Sequence, residues 1–279
     1  MSVRTLKGLL AFLQEHNLTP CKRASQHFLV DGNILDKIVK TAELSADDFV
    51  IEIGPGPGAL TETLLHTGCS VLAIEKDKRL ASLLTRLQGQ RLHICAQDIL
   101  QCPIEEHLQT LSKKAKVVAN LPYHITTPIL TKFLPLHIMI SDLVIMMQKE
   151  VGKRCMALPN TKDYGSLTLF IQFFADILSH FTIAPSCFYP KPQVESMVLH
   201  LRLRPTLPVK DPQLLFQLIH TSFQQRRKCL TTSLRTIASA KTIEALLNEM
   251  HMSSCARPQE LSLQAFIHIA DALASNKAP

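Results

Sequence analysis

The sequence predicts an α/β protein: a seven-stranded Rossmann-like sheet followed by a small C-terminal all-helical domain. Short β-rich apolar runs alternate with helical patterns as far as residue 204. A glycine loop follows the first of these runs, as it does in doubly wound sheets. From residue 205 onward the apolar spacing is helical, with no strand pattern.

Strands are expected at 49–53, 70–74, 92–96, 116–119 and 143–147, each a run of Val, Ile, Leu or Ala bounded by turn residues. Two more, around 177–183 and at 196–203, leave no room for a crossover helix between them, so they should form an antiparallel hairpin at the sheet edge. Five parallel strands closed by such a hairpin describe the methyltransferase sheet better than the six parallel strands of a dinucleotide fold. Three prolines between Arg204 and Pro212 mark a linker. This places a cofactor-binding catalytic domain at 1–204 and a helical domain at 205–279, with helices over Gln213–Gln224, Thr242–Met250 and Leu263–Leu273.

The 279 residues are 46% hydrophobic, which excludes a disordered chain and supplies one large core and a smaller one. The apolar run at 9–13 is too short to span a bilayer, and Glu15 follows it where a secretory signal needs small residues. No membrane partner and a cytoplasmic location are therefore expected. Eight cysteines with no C-x-x-C and no zinc-type Cys/His spacing read as reduced, mainly structural thiols, so no metal is expected. A net charge of +7 favours a polyanionic partner. The tail beyond residue 204 holds eight Lys/Arg against five Asp/Glu, and Arg226-Arg227-Lys228 concentrates that charge on an expected tail helix.

Ile51-Glu52-Ile53-Gly54-Pro55-Gly56-Pro57-Gly58-Ala59 reads as a strand, a tight turn and a helix start. Gly54, Gly56 and Ala59 satisfy the dinucleotide pattern, and Glu75 follows about 20 residues later. The prolines point elsewhere. A pyrophosphate cradle needs backbone N–H groups, and Pro55 and Pro57 have none. S-adenosylmethionine carries no phosphate, and Glu75 at a strand end can accept both of its ribose hydroxyls. Asp98, after the third strand, can accept the adenine amine or cap a helix.

Asn120-Leu121-Pro122-Tyr123 ends the fourth strand. The exocyclic amine of adenine is a weak nucleophile because its lone pair is delocalised into the ring. The Asn120 side chain and the Leu121 carbonyl can accept its two hydrogens, while the Tyr123 ring stacks on the base. Pro122 biases Leu121 towards an extended conformation that holds its carbonyl forward. The same four residues would also make an ordinary strand-to-turn exit.

Several motifs in order closely resemble the KsgA/RsmA family of small-subunit ribosomal RNA adenine dimethyltransferases, from Lys22 to about Leu273. They are Gln26 to Asp31, Ile51 to Thr61, Asn120 to Tyr123, Gln148 to Val151, Tyr164 to Leu167, Phe188 to Ser196 and Phe223 to Lys228. The resemblance implies that Gln26, His27, Leu29, Gly54, Gly56, Gly58, Glu75, Asp98 and Asn120 hold S-adenosylmethionine. It also implies that Phe188, expected to escape deep packing between two proline turns, borders the target adenine opposite Tyr123. The substrate implied is two adjacent adenines in a hairpin loop near the 3′ end of small-subunit rRNA within a pre-ribosomal subunit, dimethylated by a monomeric enzyme. His27 stands where the family has asparagine, Ser25 where it has glycine, and Cys229-Leu230-Thr231-Thr232 replaces a more polar stretch.

Three other readings compete. One is a sister enzyme that methylates a large-subunit rRNA adenine and confers antibiotic resistance. Another is a mitochondrial transcription factor on the same fold, disfavoured because no transit peptide is evident. The third is a nicotinamide dehydrogenase, weakened by the loop prolines.

Overall fold

The computed structural model describes residues 2–21, 26–87 and 89–275. Lys22 and Ser25 lie outside the described residues. The strands are β1 (Phe28–Leu29), β2 (Phe49–Ile53), β3 (Ser70–Ile74), β4 (Leu92–Cys95), β5 (Ala115–Asn120), β6 (Ile140–Gln148), β7 (Ala175–Ile183), β8 (Phe188–Tyr189) and β9 (Ser196–Leu203). Seven form one sheet in the order β4-β3-β2-β5-β6-β9-β7, and β1 pairs with β8 apart from it.

Strands β2 to β6 are parallel, and β9 runs antiparallel to both β6 and β7. The expected hairpin is present, with its second strand inserted beside β6 and its first at the edge. That insertion explains why β9 shows little alternation: seven of its eight residues are buried, whereas β7 is largely open. Burial on both faces gives β2 and β3 almost wholly apolar sequences, with Glu52 the buried polar exception in β2. The N-terminal apolar run forms part of the helix Leu6–Glu15, which buries Leu9, Phe12 and Leu13. No helix among the described residues is long and apolar enough to cross a membrane.

The chain divides into two compact units, Met1–Gly152 with Ala175–Pro205 and Lys153–Phe174 with Thr206–Pro279. A single boundary at 204/205 therefore misses one segment, which aromatic packing explains. Phe170, Phe173 and Phe174 of the helix Ser166–Phe174 all pack against the Phe216 ring of the helix Pro212–Gln224, tilted, edge-on and stacked respectively, at centroid separations of 5.1–5.8 Å. In the same unit the buried Tyr164 hydroxyl donates to the Leu261 carbonyl at 2.8 Å. The sheet pattern before residue 204 conceals a helix whose apolar face belongs to the tail.

Across β6 and β9, the buried Asp142 carboxylate accepts from His200 Nε2 at 2.9 Å and Arg202 Nε at 3.1 Å. Burial pushes this carboxyl up, but hydrogen bonds from His200, Ser141 and Arg202 outweigh it and hold it at about 2, against an ordinary value of 3.8. A depressed carboxyl stabilises the fold above its unfolded pKa and loses that contribution as pH falls through the folded one. Asp142→Asn should therefore cost about 2 kcal/mol at pH 7, a gap that closes between about pH 4 and pH 2 in urea unfolding. A constant gap across that range would remove the carboxylate from the account.

Candidate active site

The strand order reverses between β2 and β5, and ligands of such sheets bind in the crevice at the carboxyl ends there. A cavity of about 600 Å³ opens at this place, lined in part by the ends of β2, β3 and β5 and by the residues after β4. Its size is that of a small-molecule site.

The glycine loop is built from positive φ. Gly54 and Gly56 sit at φ +65° and +56°, and a Cβ on Gly56 would lie 2.9 Å from the Phe28 ring. Each N–H the loop glycines possess is already used. Gly54 donates to the Ile74 carbonyl at 2.9 Å, Gly56 to Glu75 Oε2 at 3.0 Å and Gly58 to the Pro55 carbonyl at 2.9 Å. Pro55 and Pro57 have no N–H, so no donor in this loop is left for a pyrophosphate. The dinucleotide reading fails on that count.

Glu75 is 7% exposed. Its second oxygen accepts from the Asp77 N–H at 2.9 Å, which leaves a lone pair on each oxygen for two further donors such as ribose hydroxyls. Burial raises its pKa against the lowering effect of those backbone bonds. Asp98 pairs with Lys76 at 2.9 Å and accepts from the Leu100 N–H at 3.0 Å. The Lys76 bond is the main cause holding its carboxyl below the usual range.

The Asn120 amide has one chemically sensible orientation. Its Nδ2 donates to the His27 carbonyl at 3.1 Å, so its Oδ1 stays an acceptor. The His27 ring, tethered through Nδ1 to the Pro190 carbonyl at 2.7 Å, stacks on Tyr123 at 5.8 Å. The Tyr123 hydroxyl is held by the buried Ser196 at 2.7 Å. Lys76, Asp77 and Ser196 were not expected in these roles. Only Ser196 carried a signal, as the last residue of a matched motif.

Gln26, His27, Gly54, Gly56, Glu75, Asp98, Asn120, Leu121 and Tyr123 thus line one cavity. Leu29, Gly58 and Phe188 do not. Gly58 caps the helix Ala59–Leu65 at φ +89°. Phe188 is corrected from loosely packed to 4% exposed, because β8 pairs it with Leu29 and both enter the core. The basic triplet is also corrected. The helix Pro212–Gln224 stops short of it, with Gln225 at φ −120° and ψ 46°. Arg226 donates to the carbonyls of Thr161 and Lys162 within the helical unit, while Arg227 and Lys228 are exposed.

The family model of the ribosomal RNA adenine dimethylases matches residues 19–274. The chain belongs to that family. It is similar to the ribosomal RNA small subunit methyltransferase A of Protochlamydia amoebophila, at 41% identity over 96% of each chain. The protein of the same name from Chlamydia caviae is 42% identical, over 99% of this chain and all of that one. A dimethyladenosine transferase from Plasmodium falciparum shares the fold, with a TM-score of 0.73 at 24% identity over 90% of this chain and 98% of that one. The 23S rRNA methyltransferase ErmE also shares it, with a TM-score of 0.67 at 24% identity over 88% and 99%. The chain is an S-adenosylmethionine-dependent methyltransferase.

Glu75→Ala should weaken S-adenosylmethionine binding by about 1.5–3 kcal/mol, the scale of a hydrogen bond to a charged group. RNA affinity should hold. Because burial raises the Glu75 pKa, falling pH neutralises this acceptor earlier than an ordinary glutamate, and cofactor affinity should decline towards acid in the parent but not in Glu75→Gln. Calorimetric titration of cofactor into all three chains checks both, and equal affinities would return Glu75 to a structural role.

Proposed function

We propose that the protein dimethylates the exocyclic amines of two adjacent adenines in a hairpin loop near the 3′ end of small-subunit rRNA. It would act as a cytoplasmic monomer on a pre-ribosomal subunit. The observation that carries this reading is the Asn120 amide, oriented by the His27 carbonyl so that an oxygen acceptor stands at the cofactor cavity. The relatives named for small-subunit methylation, at 41–42% identity, favour it over the large-subunit reading.

S-adenosylmethionine, when bound, supplies an electrophilic methyl group on a sulfonium. Glu75 accepts the ribose hydroxyls and Asp98 the adenine amine, while the closed glycine loop leaves the backbone free to pass close by. Asn120 Oδ1 and the Leu121 carbonyl draw the hydrogens of the target amine out of the base plane, restoring lone-pair character to the nitrogen. Such fixed dipoles act without reorganising during reaction. The Tyr123 ring fixes the base, and an unpaired loop base is cheap to extrude. After one transfer the nitrogen gives up a proton to solvent and keeps a single hydrogen, so one of the two acceptors yields its place to the methyl group.

The helical unit would read rRNA phosphates through Arg227 and Lys228, and Arg226, engaged with Thr161 and Lys162, shapes the surface that presents them. This assigns the salt-dependent part of binding to two residues of the triplet.

Asn120→Ala should lower turnover by on the order of a hundredfold. Cofactor affinity should change much less. Tyr123→Phe should keep most activity but lose about 1–3 kcal/mol of stability, because it strips the buried Ser196 of its partner. Single-turnover methyl transfer to under-methylated small subunits, read by reverse-transcription stops, checks these. Unimpaired turnover per folded molecule in Asn120→Ala would make Asn120 a turn residue.

Reversing the charge of Arg227 and Lys228 together should flatten the salt dependence of subunit binding by about two counterions. An unchanged slope would place both on a solvated face.

A further inference from the structure

Two thiols and an imidazole converge beside the cavity, although nothing in their spacing announces it. Among the described residues, Cys95 Sγ, Cys102 Sγ and a ring nitrogen of His107 lie within 4.8 Å of one another. Cys95 closes β4, Cys102 follows a tight turn whose amide returns to the Asp98 carbonyl at 2.9 Å, and His107 stands on the helix Ile104–Leu108. Their separations of six and four intervening residues match no familiar zinc pattern.

We propose that Cys95, Cys102 and His107 form a binding site for a zinc-class cation, with water as the fourth ligand. Zn–S and Zn–N bonds of about 2.3 and 2.0–2.1 Å set ligand-to-ligand edges near 3.5–3.8 Å, so small side-chain rotations close the observed spacing. The donors are soft or borderline, and the set contains no carboxylate, which excludes magnesium and calcium as preferred occupants. His107 is exposed and Cys102 buried, so one corner of the tetrahedron opens to solvent, where water belongs.

Charge favours the same outcome. Binding Zn²⁺ releases one proton from each thiol and leaves two thiolates, a neutral imidazole and a dication with no net charge. The Lys132 ammonium, bonded to the Cys102 carbonyl at 2.5 Å, favours the thiolate form from outside the set.

None of the three ligands lines the cofactor cavity, whereas Gln97, Asp98, Ile99 and Leu100, all between the two cysteines, do. The site therefore goes beyond methyl transfer: a cation would clip together the two ends of the strap that carries Asp98.

Cobalt(II) titrated into the full chain under reducing conditions tests this without reference to activity. The expected result is a thiolate-to-cobalt charge-transfer band and intense tetrahedral visible bands that saturate at one cation per chain and are displaced by zinc. Cys95→Ser should weaken binding and lower the charge-transfer intensity per bound cation by about half. His107→Ala, at an exposed position, should fold normally and bind at least about 10–100-fold more weakly, the loss that removing even a supporting contact causes. Absence of the bands, or their persistence at unchanged affinity in both variants, would overturn the proposal. Either result leaves the Glu75 and Asn120 assignments standing.

Discussion

The buried carboxylate of Glu75 ties the glycine loop to the end of the neighbouring strand. One of its oxygens receives the Gly56 N–H after β2 and the other the Asp77 N–H after β3. Those bonds hold Gly56 in a conformation that L side chains rarely adopt. The loop is then closed upon itself, with each glycine N–H consumed inside the protein. A ligand at this loop must bring its own donors to a carboxylate, because the loop glycines offer none in return. That demand selects a ribose and rejects a phosphate.

A second carboxyl lies behind the same loop. Glu52, on β2 and 1% exposed, is pushed up to about 8, mainly by burial, with the Glu75 charge adding to the effect. At neutral pH it stays protonated. The two acids thus divide their tasks by environment, Glu52 as a neutral interior group and Glu75 as the one that meets the cavity. Had both been ionised, their repulsion would oppose the tight turn that separates them.

The sequence states the sheet almost completely, because strands buried on both faces must be continuous apolar runs and turns must be glycine, proline or asparagine. It states Glu75, Asp98 and Asn120 as candidates for the same reason: each stands at or just after a strand end, and strand ends share one edge. The misses are of another kind. Phe188 reads as a loosely held ring because its neighbours are prolines, yet pairing with Leu29 is a contact across about 160 residues that no local pattern records. The helix Ser166–Phe174 sits inside a strand-rich stretch and shows an apolar face without saying which partner covers it. The Arg226 side chain looks free on a charged run, but its carbonyl partners come from a distant loop. Cys95, Cys102 and His107 converge only once the strap after β4 has turned.

The interleaving of the two units bears on how the chain leaves the ribosome. Phe170, Phe173 and Phe174 are synthesised some forty residues before Phe216, and Leu261, which receives the Tyr164 hydroxyl, emerges later still. During that interval an aromatic surface must wait uncovered. The sheet faces a shorter delay, since β9 follows β7 closely and completes it before the tail exists. Translation therefore completes the sheet first and leaves the helical unit to close afterwards. A chain truncated before Phe216 would have a complete sheet and an exposed aromatic cluster, the combination that chaperones and proteases recognise.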